Sequence, residues 1–214
     1  MGQTRIIEAT TPAQVTCVVV HGRGQTQDDM MQAIVTHLDR PDARFVLPKS
    51  DSAGWYAARA IDSLTDDCRT DLAASLAALA KVIDAAVADA PGLPVLLVGF
   101  SQGACLSVEY LMKHGALHGA AALLTGCRVG ARSDALPMAE LAGMPIYASC
   151  GDADPWIPAE AYFDMSGDLT RASARIRMDM FPGRPHAVDL AEIAVLRGML
   201  DDLAHGRDLF GAGA

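Results

Sequence analysis

Apolar positions along the chain fall into two kinds of run that alternate from end to end. Short continuous runs rich in β-branched residues predict strands, and Val15-Thr16-Cys17-Val18-Val19-Val20 is of the kind buried on both faces of a parallel sheet. Val95–Phe100, Ala120–Leu124 and Ile146–Cys150 repeat that style, and Arg44–Leu47 is a shorter run that Pro48 is expected to stop. Residues 175–181 differ because they alternate: Ile176, Met178 and Met180 face one way, Arg175, Arg177 and Asp179 the other. That pattern predicts a strand near the sheet edge with one wetter face. Between the strands the apolar period lengthens. Ile61, Leu64, Cys68, Leu72, Leu76, Leu79, Ile83 and Val87 are spaced by three or four, which predicts one long amphipathic helix ending before Pro91-Gly92. A second helix is expected over Gln102–His114, closed by Gly115. A third carries the stripe Ile193, Leu196, Leu200 and Leu203, with Gly206 as its C-terminal cap.

Strands alternating with helices predict an α/β architecture: a central, mostly parallel sheet with helices on both faces. No repeat or linker interrupts it, so residues 1–214 are read as a single domain, with about 205–214, ending in Gly-Ala-Gly-Ala, as a flexible tail. Hydrophobic residues are 51% and charged residues 20% of the chain, which excludes a disordered protein. No apolar run approaches the roughly 18 residues of a membrane span. Met1–Ala13 lacks the basic start and apolar stretch of a secretory signal, which points to a cytoplasmic chain. The net charge of −9 argues against nucleic-acid and anionic-membrane partners, both of which need clustered Lys and Arg. The five cysteines form no C-x-x-C pair, so reduced buried thiols are expected rather than a metal site or a disulfide framework.

Gly99-Phe100-Ser101-Gln102-Gly103 is a G-x-S-x-G element with a buried strand running into it and a helix leaving it. A nucleophile elbow needs that arrangement: the serine sits on a sharp strand-to-helix turn, and the glycines allow the backbone crossing. A serine alcohol is a weak nucleophile until a neighbouring base takes its proton. His186 follows the alternating strand and supplies the base, while His205, at the end of the last helix, reads as a surface residue. For the acid that orients the base, Gly151-Asp152-Ala153-Asp154-Pro155 offers two aspartates. Asp154 is favoured because Pro155 makes its turn rigid, and Asp152 reads as a turn former. An oxyanion hole needs two backbone N–H groups, expected from Gln102 and from Arg23 in His21-Gly22-Arg23-Gly24. His21 reads as a structural hydrogen-bonding residue, and the Arg23 side chain is expected to meet an acidic substrate group or to point into water. Trp55, Tyr56 and Trp156 lie on loops at strand ends and are candidate pocket residues. Met30 and Met31 are expected to fill the core.

These pieces together resemble the α/β-hydrolase superfamily and, more narrowly, its phospholipase/carboxylesterase family, which includes acyl-protein thioesterases and small bacterial carboxylesterases. The likeness rests on His21-Gly22-Arg23-Gly24, Gly99-Phe100-Ser101-Gln102-Gly103-Ala104, Gly151–Pro158 and Gly183-Arg184-Pro185-His186, and runs from about Thr16 to about Leu203. It implies an α/β-hydrolase fold, Ser101, Asp154 and His186 as a catalytic triad, and the N–H groups of Arg23 and Gln102 as the oxyanion hole. Arg23 and Ala104 stand where thioesterases carry Leu and Gly, which resembles the bacterial esterase branch. The expected activity is a serine carboxylesterase acting on small-molecule, short-acyl esters with no metal or organic cofactor. Acyl-thioester or lysophospholipid hydrolysis is the nearest alternative, and a non-catalytic binding scaffold the alternative from another class. No connection is long enough for a separate lid domain, so an open cleft is expected, and the sheet edges leave room for a homodimer.

Overall fold

The computed structural model describes residues 2–211. Seven strands form one sheet in the order β1-β3-β2-β4-β5-β6-β7. β2 (Val15–Val20) and β4 (Val95–Phe100) lie at its centre and are buried along their whole length. They pair in parallel from Thr16 opposite Val95 to Val20 opposite Gly99. β5 (Gly119–Leu124), β6 (Pro145–Gly151) and β7 (Arg175–Phe181) continue the parallel order, and β7 closes the sheet as an edge strand with a half-exposed pattern, as its alternation predicts.

Successive side chains of a strand enter opposite cores. Val18 and Val20 of β2 and Leu97 of β4 join the core beneath α3 (Asp66–Asp89), α4 (Gln102–His114) and α5 (Ala159–Arg171). Val15, Cys17 and Val19, with Leu96, Val98 and Phe100, join the opposite core. That core is covered by α6 (Leu190–Ala204) and by a short helical segment made of α1 (Gln27–Met30), a π-turn over Met31–Val35 and α2 (Thr36–Leu38). Met30 is fully buried in it and Met31 packs against it, so both methionines fill the core on the far side of the sheet. All five cysteines are buried and free. Among the described residues no helix is long and apolar enough to cross a membrane. The connections carry no separate lid domain.

Besides α5 and the helical segment over 27–38, which are absent from the sequence expectation, three elements depart from it. β1 (Gly2–Ile7) was not foreseen. It pairs antiparallel with β3 at the sheet edge, and its polar, half-exposed composition gives no apolar signal. Pro48 does not stop β3, which spans Ala43–Lys49; the pairing to β2 ends at Val46, and the register to β1 shifts nearby, so no ladder bond is asked of the missing N–H. α3 begins at Asp66 rather than Ile61, because Thr65 caps it by accepting the Cys68 N–H at 3.2 Å. Ile61 and Leu64 keep their packing role from a loop held to a neighbouring one by Gly130 N–H to Ala60 O (2.6 Å) and Leu64 N–H to Asp134 Oδ2 (2.9 Å).

At the C-terminus, Gly206 follows α6 with φ +63°, in the role expected of it. The stretch beyond is anchored rather than loose: Arg207 pairs with Asp201 and Asp202, Asp208 with Arg175 at 2.6 Å, and Leu209 is buried in the second core. The last residues of the expected tail, 212–214, lie outside the described residues.

Candidate active site

The chain leaves β2 for β3 on one side of the sheet and returns to β4 on the other. A crevice therefore opens between the C-terminal ends of β2 and β4, where open α/β sheets hold their sites. Ser101 ends β4 at that point with φ +55° and ψ −122°. A non-glycine residue in such a conformation costs on the order of 1–3 kcal/mol and persists only where its surroundings enforce it. Here Ser101 N–H donates to Leu124 O at 2.9 Å and Ser101 O accepts the Cys105 N–H at 3.0 Å, fixing both sides of the turn. The flanking glycines make the crossing possible. A Cβ on Gly103 would stand 2.1 Å from Val20 O, and one on Gly99 would stand 2.5 Å from Gly103 O.

Asp154 and His186 lie on the loops after β6 and β7, and the structure brings both to Ser101. His186 Nε2 is 2.8 Å from Ser101 Oγ, and His186 Nδ1 is 2.7 Å from Asp154 Oδ2. The Asp154 side chain is wholly buried, and its Oδ1 accepts the N–H groups of Trp156 (2.8 Å) and Ile157 (2.9 Å). Both oxygens are thereby assigned, one to the backbone and one to the imidazole. Asp152 does something else: its Oδ1 accepts the Gly183 N–H at 2.5 Å, tying the aspartate loop to the histidine loop. Burial pushes the Cys150 thiol, close to Asp154, up to about 12, so it stays a neutral neighbour.

The histidine loop is held from below by a buried network that the sequence reading missed. Arg184 donates to Glu192 Oε2 of α6 (2.5 Å) and to Thr125 Oγ1 beyond β5 (3.1 Å). Glu192 also accepts from the Ser149 hydroxyl of β6 and from the Asp189 N–H at 2.6 Å. Glu192 is fully buried, so breaking the pair from one side would cost about 3–5 kcal/mol. Only the Arg184 in Gly183-Arg184-Pro185-His186 hinted at it, since its partners are contributed by three other elements.

Arg23 follows β2 and Gln102 opens α4. Among the described residues neither backbone N–H has a protein acceptor. Their side chains, however, leave the position expected for Arg23. Arg23 is exposed, and instead of standing ready for a substrate acid its guanidinium donates to the carbonyls of Tyr56 (3.0 Å), Ala57 (2.7 Å) and Ala58. The Gln102 amide holds the same strand of loop, donating to Tyr56 O (2.8 Å) and accepting the Trp55 N–H (2.9 Å). A loop without secondary structure is thus held by the side chains of the two residues whose backbone N–H groups have no protein acceptor.

His21 is structural, as expected. Its Nε2 accepts the Ser50 N–H at 3.2 Å, which assigns the proton to Nδ1, 2.8 Å from Gly22 O. Burial lowers its pKa below the ordinary 6.5. The unfolded chain therefore takes up the second ring proton, the one that Nε2 would bind, more readily than the folded one, and stability falls as pH drops below about 6.5. We expect the wild-type Tm to fall on going from pH 8 to pH 5 more steeply than that of His21→Gln, whose Tm at pH 8 is lower; parallel curves would remove His21 as the cause.

Ser101 and His186 open onto a cavity of about 270 Å³ walled by Tyr56, Ala60, Cys105, Trp156 and Ile157, with Arg23, Arg59 and Gln102 as its other polar lining. Of the three candidate pocket aromatics, Tyr56 and Trp156 are in the wall. Trp55 is not. It is buried against His21, ring centroids 4.7 Å apart, and its indole N–H donates to His21 O at 2.7 Å. A buried indole needs an acceptor, and the carbonyl ending β2 provides it. Arg59, Ala60, Cys105 and Ile157 were not foreseen as lining, because their positions depend on how the loops fold back.

The model of the phospholipase/carboxylesterase family matches residues 1–203. Among solved structures, a phospholipase/carboxylesterase from Dyadobacter fermentans is 25% identical with a TM-score of 0.78, over 92% of this chain and 96% of that one. The Bacillus cereus carboxylesterase (17% identity, TM-score 0.73, 94% of each chain) shares the fold. So does a carboxylesterase from Mesorhizobium loti (21% identity, TM-score 0.72, 92% of this chain and 93% of that one). None of the curated proteins matches the sequence. With the family match extending over nearly the whole chain and an α/β-hydrolase sheet beneath it, this chain belongs to the phospholipase/carboxylesterase family of hydrolases.

Proposed function

We propose that this chain is a serine carboxylesterase that hydrolyses small or short-acyl carboxylic esters through an acyl-enzyme. The observation that carries the reading is the unbroken hydrogen-bonded chain from Ser101 Oγ through His186 to Asp154. Ser101 Oγ attacks the ester carbonyl while His186 Nε2 takes its proton. Asp154 holds the Nδ1 proton in place and stabilises the imidazolium that results. The backbone N–H groups of Arg23 and Gln102 receive the charge that develops on the carbonyl oxygen, where each such donor is worth about 2.7–4 kcal/mol. His186 then gives its proton to the leaving alcohol. In the second half, water loses a proton to His186 and attacks the acyl-enzyme, and the proton returns to Ser101 as the acid leaves. No step calls for a cofactor.

The cavity supports the short-acyl part of the reading. At about 270 Å³ it falls below the roughly 300 Å³ at which pockets for drug-sized ligands begin. A fluorophosphonate probe together with a p-nitrophenyl ester series from acetate to decanoate tests the proposal. Stoichiometric labelling and a kcat/KM maximum at the short end are expected. Neither labelling nor turnover would overturn the enzyme reading, and a preference for long acyl thioesters over short esters would overturn the substrate class.

A further inference from the structure

The chain carries 26 acidic against 17 basic side chains, 14 of them arginines, so cations are in the minority. Among the described residues every arginine but one donates to a carboxylate or a backbone carbonyl of the protein. The exception is Arg59, exposed, with no partner for its guanidinium, and it stands in the wall of the cavity that holds Ser101 and His186. No acidic residue lines that cavity, whereas two arginines do. Arg23 keeps its positive charge while its donors are committed to the carbonyls of residues 56–58, so it raises the local potential without being able to form a fork to a ligand. Arg59 retains its full donor set.

A solitary unpaired arginine in an otherwise acidic protein, at the mouth of a small apolar pocket, is arranged for an anion brought by the substrate. We infer that the ester this site takes carries a carboxylate a few bonds from the scissile carbonyl, received by Arg59. This rests on the esterase reading above and narrows its substrate class to esters with an acidic end, whether in the acyl part, as in a half-ester of a dicarboxylic acid, or in the alcohol part, as in an O-acyl hydroxy acid.

The test compares kcat/KM, followed by proton release, for monomethyl glutarate and for the neutral methyl ester in which an isopropyl group replaces its carboxylate. The acetyl ester of a hydroxybutyrate and its isopropyl counterpart form the second arm. The arm with the larger charged-to-neutral ratio tells which half of the ester carries the anion. That ratio is expected to be about tenfold or more in wild type, to fall about tenfold in Arg59→Ala, and to recover in part in Arg59→Lys, since a point charge replaces the fork. It should also shrink between about 0.01 M and 0.5 M salt, because the guanidinium is exposed to screening. Any change that Arg59→Ala makes to the shape of the pocket acts on both esters of a pair and cancels in the ratio. Ratios near one in both arms, or ratios unchanged in Arg59→Ala, would overturn the inference while leaving the esterase reading standing. Failure to hydrolyse any of the four esters, with no fluorophosphonate labelling, would overturn both.

Discussion

Ser101→Ala should lower kcat for a short p-nitrophenyl ester by about 10⁵–10⁶-fold and abolish fluorophosphonate labelling, with little change in Tm. The size of the effect follows from what is removed. Among the described residues Ser101 Oγ is the hydroxyl that His186 Nε2 faces, so on the proposed mechanism its removal takes away the atom that would form the acyl bond. What remains are the backbone N–H groups and the cavity, which can still bind and polarise an ester but leave water as the nucleophile. The small effect on folding follows from the same geometry. The Ser101 side chain does not cap α4, and its one hydrogen bond is to His186, so no buried partner is stranded. Alanine also inherits the φ of +55° with the same Cβ as serine, so the elbow carries no added strain. A loss of activity accompanied by a collapsed Tm would be a folding defect, and activity within tenfold of wild type would overturn Ser101 as nucleophile. The two readouts together separate chemistry from stability.

Much of this geometry was legible because each candidate site residue follows a predicted strand, buried for β2, β4 and β6 and half-exposed at the sheet edge for β7. An all-apolar run such as Val95–Phe100 has one place in an α/β sheet, and the residue after it falls at the site edge whatever the rest of the fold does. Ser101, Asp154 and His186 were placed that way, along with the turn carrying Arg23. What depended on two distant segments meeting was not legible. Trp55 and Tyr56 are adjacent in the chain, yet one packs on His21 and the other walls the cavity. The choice is made by the hydrogen bonds that Gln102 and Arg23 throw across to residues 55–58. The Arg184–Glu192 pair joins two positions eight residues apart with a serine from β6 and a threonine from the turn after β5, and no spacing rule marks such a group. The start of α3 was misjudged because Ile61 and Leu64 bury apolar surface at helical spacing while belonging to a loop. Periodicity reports burial, and the capping residue Thr65 decides where the helix begins. Arg59 carries no local signal either, since what sets it apart is the partner it lacks.

Asp154→Asn should cost about 10⁴-fold in kcat, and Asp152→Asn less than tenfold, on the same ester at neutral pH. The first figure is argued from how the amide would be held. In the wild type, Asp154 Oδ1 accepts the N–H groups of Trp156 and Ile157 while Oδ2 faces His186 Nδ1. The two backbone donors demand an oxygen, so an asparagine at 154 must turn its carbonyl to them and its NH₂ to the imidazole. A donor facing Nδ1 makes that nitrogen an acceptor and moves the ring proton to Nε2. His186 then presents an N–H to Ser101 Oγ where the reaction needs a lone pair, and no base is left to take the serine proton. Heavy-atom positions change little, so folding is retained while proton transfer is lost. At position 152 the demand is different: Oδ1 accepts a single N–H, that of Gly183, from an exposed position, and asparagine supplies the same oxygen. The loop-to-loop tie survives and no tautomer depends on it. Steady-state kinetics of the two variants side by side decide the matter, and a larger loss for Asp152→Asn would transfer the role of acid from Asp154 to Asp152.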